Sequence, residues 1–242
     1  MSETEKPFAV FDIDGTLIRW QLYHAVCDKL AKDGHIKPEM YQLVQEARMK
    51  WKKREDTASY HAYELTVIDA FDSAIADVSS EELSKVIQTV FERYKDQSYT
   101  YTRRLIASLK QQGYLLFAIS ASPREIVELL ARHYGFDDWG GSVYEVIDGK
   151  HTGEKYILKS DEKPRYLQTL ISKHNLTNQG SIGVGDSDGD IAMLSTVENP
   201  IVINPNAVLF EHAKSHGWKI VVERKNVIYE LESTNGSYKL LA

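Results

Sequence analysis

The sequence predicts an α/β fold: a parallel sheet core with helices on both faces, interrupted early by a helical insertion. Three observations carry that expectation. Short apolar runs of strand length recur at 8–11, 114–119, 181–184, 201–203 and 219–222. Helical-period segments separate most of them, the rhythm of strand–helix units in a parallel sheet. The polar residues suited to chemistry stand at the ends of these runs, where open α/β sheets gather their sites.

The first run is the most informative. Residues 8–18 read FAVFDIDGTLI, an apolar strand pattern that meets Asp12 and Asp14 and then Gly15. Alternation in extended chain puts both carboxylates on one side. Gly15 permits a tight exit, and Thr16 can bond locally as the chain turns. A plain D-G turn is one reading. The other is a metal-binding pair containing a nucleophile, because like charges this close repel unless a cation or proton is shared.

From Trp20 to about Lys95 the period changes to helical. Leu22, Tyr23, Val26 and Leu30 make one helix stopped by Gly34, and Pro38 opens a second carrying Leu43, Val44 and Trp51. A third runs over 58–78, and Ser79 or Ser80 caps a fourth. At this spacing Tyr60, Tyr63, Phe71 and Tyr94 read as core rather than as a base-stacking surface. Trp20 and Gln21 stand beside the acidic strand end and are candidates to face a ligand. Arg48 and Arg54 are candidate anion contacts.

Beyond residue 98 each strand tip offers a further polar group. The run YLLFAI ends in SASPREIVELL, where Ser122, Pro123 and Glu125 predict a helix start, leaving Ser120 at the tip beside fresh helical N–H groups. Residues 142–151 read as two short strands about a turn at Asp148-Gly149. Pro164 predicts a helix start with Lys163 at its N-terminal end, opposed by the helix dipole unless an anion lies near. Lys155 and Lys159 are ordinary solvent lysines. After the 181–184 strand comes GDSDGD, with Asp186, Asp188 and Asp190, and the tail STNGSYKLL suggests a turn and an edge strand.

Composition narrows the class. Lys and Arg total 29 against 35 Asp and Glu, a net charge of -6 in 242 residues, which argues against a general nucleic-acid binder. The single cysteine, Cys27, excludes an internal disulfide or cysteine metal cluster and falls among packing positions. No signal-like or bilayer-length apolar segment is present, so a cytoplasmic protein without membrane attachment is expected. The apolar stripes serve equally within or between chains and leave the oligomeric state open.

Parallel-sheet folding would gather Asp12, Asp14, Ser120, Lys163 and Asp186 around one crevice. Carboxylates there suit a hard cation such as Mg²⁺, a hydroxyl and a lysine suit an anion, and one carboxylate is free to attack phosphorus.

These motifs, in this order, resemble the haloacid dehalogenase-like hydrolase superfamily: DIDGT at 12–16, Ser120, Lys163, and GDSDGD at 185–190. The insertion resembles the cap of its phosphoserine-phosphatase-like branch (subfamily IB), as does NPNAVLFEHAKSHGW at 204–218. The resemblance implies a Rossmann-like core at 1–19 and 96–242 and an all-helical C1-type cap at 20–95. It implies a Mg²⁺-dependent phosphomonoester hydrolase working through an aspartyl-phosphate on a small phosphorylated metabolite.

The resemblance also implies roles. Asp12 would be nucleophile and metal ligand, and Asp14 acid/base and, through its backbone carbonyl, metal ligand. Ser120 and Lys163 would hold the phosphoryl oxygens, Asp186 would bind the metal, and Asp190 would organise its surroundings. Two departures bear on the substrate. Phosphoserine phosphatases of the branch carry, nine residues past the nucleophile, a glutamate for the substrate ammonium, and here that position is Gln21. The family's frequent Asn before the last motif aspartate is Gly189.

Overall fold

Four wholly buried residues, Phe8–Phe11, form the first strand, β1. Phe8 and Val10 pack with Phe117, Ile119, Leu158, Leu167 and Met193. Phe11, on the opposite face, meets the ring of Phe136 edge-on at 5.6 Å. A strand whose alternate residues enter two separate cores is a central strand. The computed structural model describes residues 6–54, 56, 58–234 and 237–241. The acidic start of MSETEKP and the Asn235-Gly236 turn therefore lie outside the described residues.

The chain divides into two compact units. The first takes in everything through Trp20, Tyr94–Ser142, and the chain from Ile157 onward. Its sheet grows outward from β1, with β2 (Leu115–Pro123) and β5 (Ile182–Gly185) parallel on either side. β3 (Asp138–Ile147) joins β2, while β6 (Asn199–Ile203) and β7 (Lys219–Arg224) continue past β5, all parallel. β8 (Val227–Thr234) and β9 (Ser237–Leu240) finish it antiparallel, with β9 as the edge strand the tail sequence suggests.

Helices cover both faces, as in a Rossmann-like core. α7 (Lys163–Lys173) and α8 (Ile191–Leu194) supply Leu167, Leu170, Ile171 and Met193 to the Phe8 side. α9 (Ala207–His216) lays Leu209 and Ala213 on Val202 and Ile220. α5 (Thr100–Gln111) and α6 (Arg124–Tyr134) pack on β2 through buried stripes that include Ile106, Leu109, Ile126 and Leu130. Such stripes give each helix most of its stability, since isolated helices of this length are marginal in water.

The second unit comprises Gln21–Arg93 and Val143–Tyr156. It holds α1 (Leu22–Lys32), α2 (Pro38–Lys53), α3 (Ser59–Ile75) and α4, which runs Ser80–Tyr94. Pro38 stands in the first turn of α2, where its missing N–H costs nothing. Ser79 rather than Ser80 caps α4: its N–H donates to Glu82 Oε2 at 3.0 Å and its Oγ accepts from the Glu82 N–H at 3.2 Å, a capping box. Tyr63 and Phe71 are fully buried, as their helical spacing predicts.

The hairpin of this unit is made by Val143–Ile147 and β4 (Lys150–Tyr156), antiparallel about Asp148 and Gly149 with φ of +50° and +77°. Positive φ at both central residues is the turn that matches strand twist, and Asp-Gly meets it at little cost. The hairpin docks on the helices of its own unit. Ser80 N–H donates to Gly149 O at 3.0 Å, Lys155 pairs with Asp72, and the rings of Tyr144 and Phe71 stand 5.2 Å apart. Lys155 is thus a tether rather than a free solvent lysine. Among the described residues, no helix is long and apolar enough to cross a membrane.

Candidate active site

The first unit brings its strand tips together around Asp12. Asp12 follows β1 directly, its N–H donating to Val184 O at the end of β5 at 2.9 Å. Asp12 is only 5% exposed. Lys163, at the start of α7 and also buried, donates to Asp12 Oδ1 at 2.8 Å and to Asp190 Oδ1 at 2.7 Å. That accounts for a cation at a helix N-terminus: two carboxylates face it. The second oxygen of Asp190 accepts the N–H groups of Asp186 and Ser187, each at 3.1 Å, and folds the 185–190 loop around a fully buried anchor.

Asp186 sits over the turn after β1. Thr16 Oγ1 donates to Asp186 Oδ1 at 3.2 Å, so this hydroxyl bonds across the sheet rather than locally as its turn position predicts. Gly15 has φ +84°, and a Cβ there would lie 2.2 Å from Asp186 Oδ2. Both the backbone angle and the close approach require glycine. Asn206, the N-cap of α9, steadies the loop: its N–H donates to Asp186 O at 3.0 Å and its Nδ2 to Asp188 Oδ1 at 2.5 Å. Asp188 thus has a loop-holding partner. At Gly189 a Cβ would meet Ser160 Oγ at 2.6 Å, so the serine takes space a side chain would need.

Asp14 receives two hydroxyls on one oxygen. Ser120 Oγ donates to Asp14 Oδ2 at 2.7 Å and Ser122 Oγ donates to the same atom at 2.8 Å. Ser122 does not cap the next helix as its Ser-Pro-x-Glu pattern predicts; it bonds Asp14 instead. β2 continues to Pro123, α6 begins only at Arg124, and no side chain caps it. Ser122, Thr16 and Asn206 are therefore polar members of the site that local pattern did not identify. The only sequence signals were a second serine in SAS, the Thr of DGT and the second Asn of NPN.

The electrostatics favour a bound cation. One oxygen each from Asp12, Asp186 and Asp190 lie within 4.8 Å of one another. Burial, reinforced by the charges of Asp190 and Asp14, pushes Asp12 up to about 7 against the pull of Lys163. Burial and the Asp12 and Asp190 charges push Asp186 well above the carboxylate range. Lys163 is held protonated, since its two carboxylates outweigh the cost of burying it. Three carboxylates thus crowd together around one ammonium. An all-oxygen donor set short of positive charge is what a hard divalent cation fits.

Gln21 belongs to the second unit, half-buried just before α1, where its carbonyl accepts the Ala25 N–H at 3.1 Å. Its side chain makes no capping bond. Arg48, a candidate anion contact, is engaged within that unit: it donates to Asp28 Oδ1 at 2.5 Å and to the Tyr63 hydroxyl at 2.8 Å. Arg54 ends α2 in a left-handed conformation, φ +55°.

A family model described as haloacid dehalogenase-like hydrolase matches residues 9–195, and the chain belongs to that family. Several of the relatives it matches at 23–29% identity are named phosphoserine phosphatases. The chain is 29% identical over 153 residues to phosphoserine phosphatase SerB1 of Mycobacterium tuberculosis, covering 61% of this chain and 50% of that protein. It thus spans about half the length of that relative. It is 28% identical over 228 residues to a histidinol-phosphatase of Neisseria meningitidis serogroup C, covering 89% of this chain and 98% of that one. A crystal structure of a protein of unknown function from Bordetella pertussis Tohama I shares the fold at a TM-score of 0.73 and 23% identity, over 90% of this chain and 98% of that one.

Proposed function

We propose that the chain is a Mg²⁺-dependent phosphomonoesterase that acts on a small organic phosphate through an aspartyl-phosphate on Asp12. The observation that carries this reading is the buried Asp12 carboxylate, 2.8 Å from Lys163 and clustered with Asp186 and Asp190. An Asp12 oxygen attacks phosphorus as the bond to the leaving oxygen breaks, and Asp14 gives that oxygen its proton. Asp14 then takes a proton from water, which attacks the aspartyl-phosphate. The Asp12–phosphorus link breaks and inorganic phosphate leaves.

Lys163 and Ser120 neutralise and orient the phosphoryl oxygens. Asp12, the Asp14 carbonyl and Asp186 would hold Mg²⁺, which when bound supplies positive charge to the phosphoryl oxygens. Asp190 keeps Lys163 and the 185–190 loop in place. Asp12→Asn should lower phosphate release from a monoester panel by about 10⁴-fold or more, and EDTA should abolish it reversibly. Full activity in Asp12→Asn would refute the nucleophile.

A narrower reading is a phosphoserine phosphatase. It is favoured by the relatives of that name, while Gln21 lacks the charge to attract a substrate ammonium. L-phosphoserine and L-histidinol phosphate belong on the panel, and a weak, unselective phosphoserine rate removes the narrower reading. Transfer to added alcohols would indicate a phosphotransferase, and tight phosphate binding without turnover a non-catalytic binder.

A further inference from the structure

We infer that Ser122 is a positioning residue for Asp14: its hydroxyl holds the Asp14 carboxylate in aim when Ser120 turns to the phosphoryl group. The inference rests on the reading of Asp14 as the proton carrier. A serine hydroxyl has one proton to donate. Ser120 spends it on Asp14 Oδ2, while Ser120 Oγ accepts the Ser122 N–H at 3.0 Å. To donate to a phosphoryl oxygen, Ser120 must withdraw that proton from Asp14. Ser122 is the second donor on the same oxygen, and it stays.

The setting makes Ser122 suited to that task. It is 3% exposed, and its N–H is committed to Ser120. The preceding carbonyl, Ala121 O, accepts Ser142 Oγ at 2.6 Å, and Ser142 Oγ in turn accepts the Leu158 N–H at 3.1 Å. Pro123 follows with its φ fixed by the ring. The SAS segment is thus tied to β3 and to the chain beyond it, and the serine has little freedom to leave Asp14. Both hydroxyls start on Asp14, and during the reaction Ser120 turns to the phosphoryl group while Ser122 keeps the acid, so the two divide the labour of one strand tip.

Proton delivery matters in proportion to the basicity of the leaving oxygen. An alkyl phosphate such as glycerol phosphate needs the acid, whereas p-nitrophenyl phosphate expels a stable phenolate nearly unaided. The test is kcat/KM, which reports the phosphorylation half-reaction, for both esters with wild type, Ser122→Ala, Ser122→Thr and Asp14→Asn. Ser122→Ala should lose about 10–100-fold on the alkyl ester and less than about 3-fold on the aryl ester, with Ser122→Thr recovering most of the loss.

Equal losses on both esters, or none, in Ser122→Ala while Asp14→Asn remains ester-selective would overturn the role of Ser122 alone. No ester selectivity in Asp14→Asn would overturn the reading of Asp14 and the inference with it. Should Ser122→Ala lack a cooperative melt, Ser122→Cys keeps the volume with a weaker donor and must show the same selective loss.

Discussion

Both units of this chain draw charge away from open solvent, and they do it in opposite ways. In the second unit Arg48 answers Asp28 and the Tyr63 hydroxyl, Tyr41 adds a hydroxyl to Asp28 at 3.0 Å, and Trp51 stacks on Tyr63 at 5.4 Å. Charge and donors there are matched, and the pair stays half-buried beside the aromatic rings. In the first unit Lys163 bonds Asp12 and Asp190, while Asp186 crowds the same carboxylates and burial pushes both Asp12 and Asp186 toward the neutral form. A matched cluster strengthens a fold, whereas an unmatched one stores repulsion that a cation or a phosphoryl-transfer step can relieve. Removing a member should therefore cost stability in one unit and activity in the other.

The sharpest break in that contrast is Asp12→Asn. It removes one of several competing carboxylates while Asp190 still pairs Lys163, so stability without added metal should stay within about 1 kcal/mol of wild type even as activity falls by about 10⁴-fold. Divalent cation should act in the same sense. At about 100 times its dissociation constant, Mg²⁺ should stabilise the wild type by about 2.7 kcal/mol, and Asp186→Asn should remove most of that gain. Thermal melts with and without Mg²⁺ measure both. A large destabilisation by Asp12→Asn in metal-free buffer would mean the cluster is structural.

The contrast was unevenly legible in sequence. The acidic cluster was readable because Asp12 and Asp186 directly follow apolar runs with Asp14 and Asp190 close behind them, and parallel sheets collect such ends. The strands β1, β2, β5 and β6 carry their burial in their composition. The beginning of β3 was not legible, since Asp138-Trp139-Gly140-Gly141 reads as a loop. Gly140 serves packing instead: a Cβ there would lie 2.3 Å from the Tyr166 ring. Ser122 misled because Ser-Pro-x-Glu is a valid helix start, and only the continuation of β2 diverts the hydroxyl to Asp14. The hairpin turn at Asp148-Gly149 was plain from its residues. Its grouping with helices far away in sequence depends on Tyr144, Lys155 and Gly149 finding partners, which no local pattern encodes.

On the matched side, Arg48→Met should cost about 2–4 kcal/mol of unfolding free energy. The loss leaves Asp28 with a hydroxyl in place of a cation and strips the Tyr63 hydroxyl of its donor. Michaelis constants and turnover should move little under conditions where the protein remains folded. Urea denaturation followed with a phosphatase assay at a permissive temperature separates the two effects. An activity loss without a stability loss would move Arg48 to the substrate side.

The smallest effect is the most specific to the second unit. His24 is 3% exposed with its ring 4.5 Å from that of Tyr63, and its Nδ1 is buried without a partner. Burial, helped by the Arg48 charge, pushes its pKa down to about 3. An unfolded histidine titrates near 6.5. Between these values the unfolded chain binds a proton that the folded chain refuses, so stability falls as pH drops from about 6.5 toward 3. From pH 7.5 to 5.0 the contribution is a loss of about 2 kcal/mol. His24→Phe keeps the ring contact and removes the proton site, so its urea midpoint should fall less over that interval by the corresponding amount. Parallel pH profiles for wild type and His24→Phe would show that His24 takes up its proton in the folded protein, and that burial in this unit is less complete than its matched charges imply.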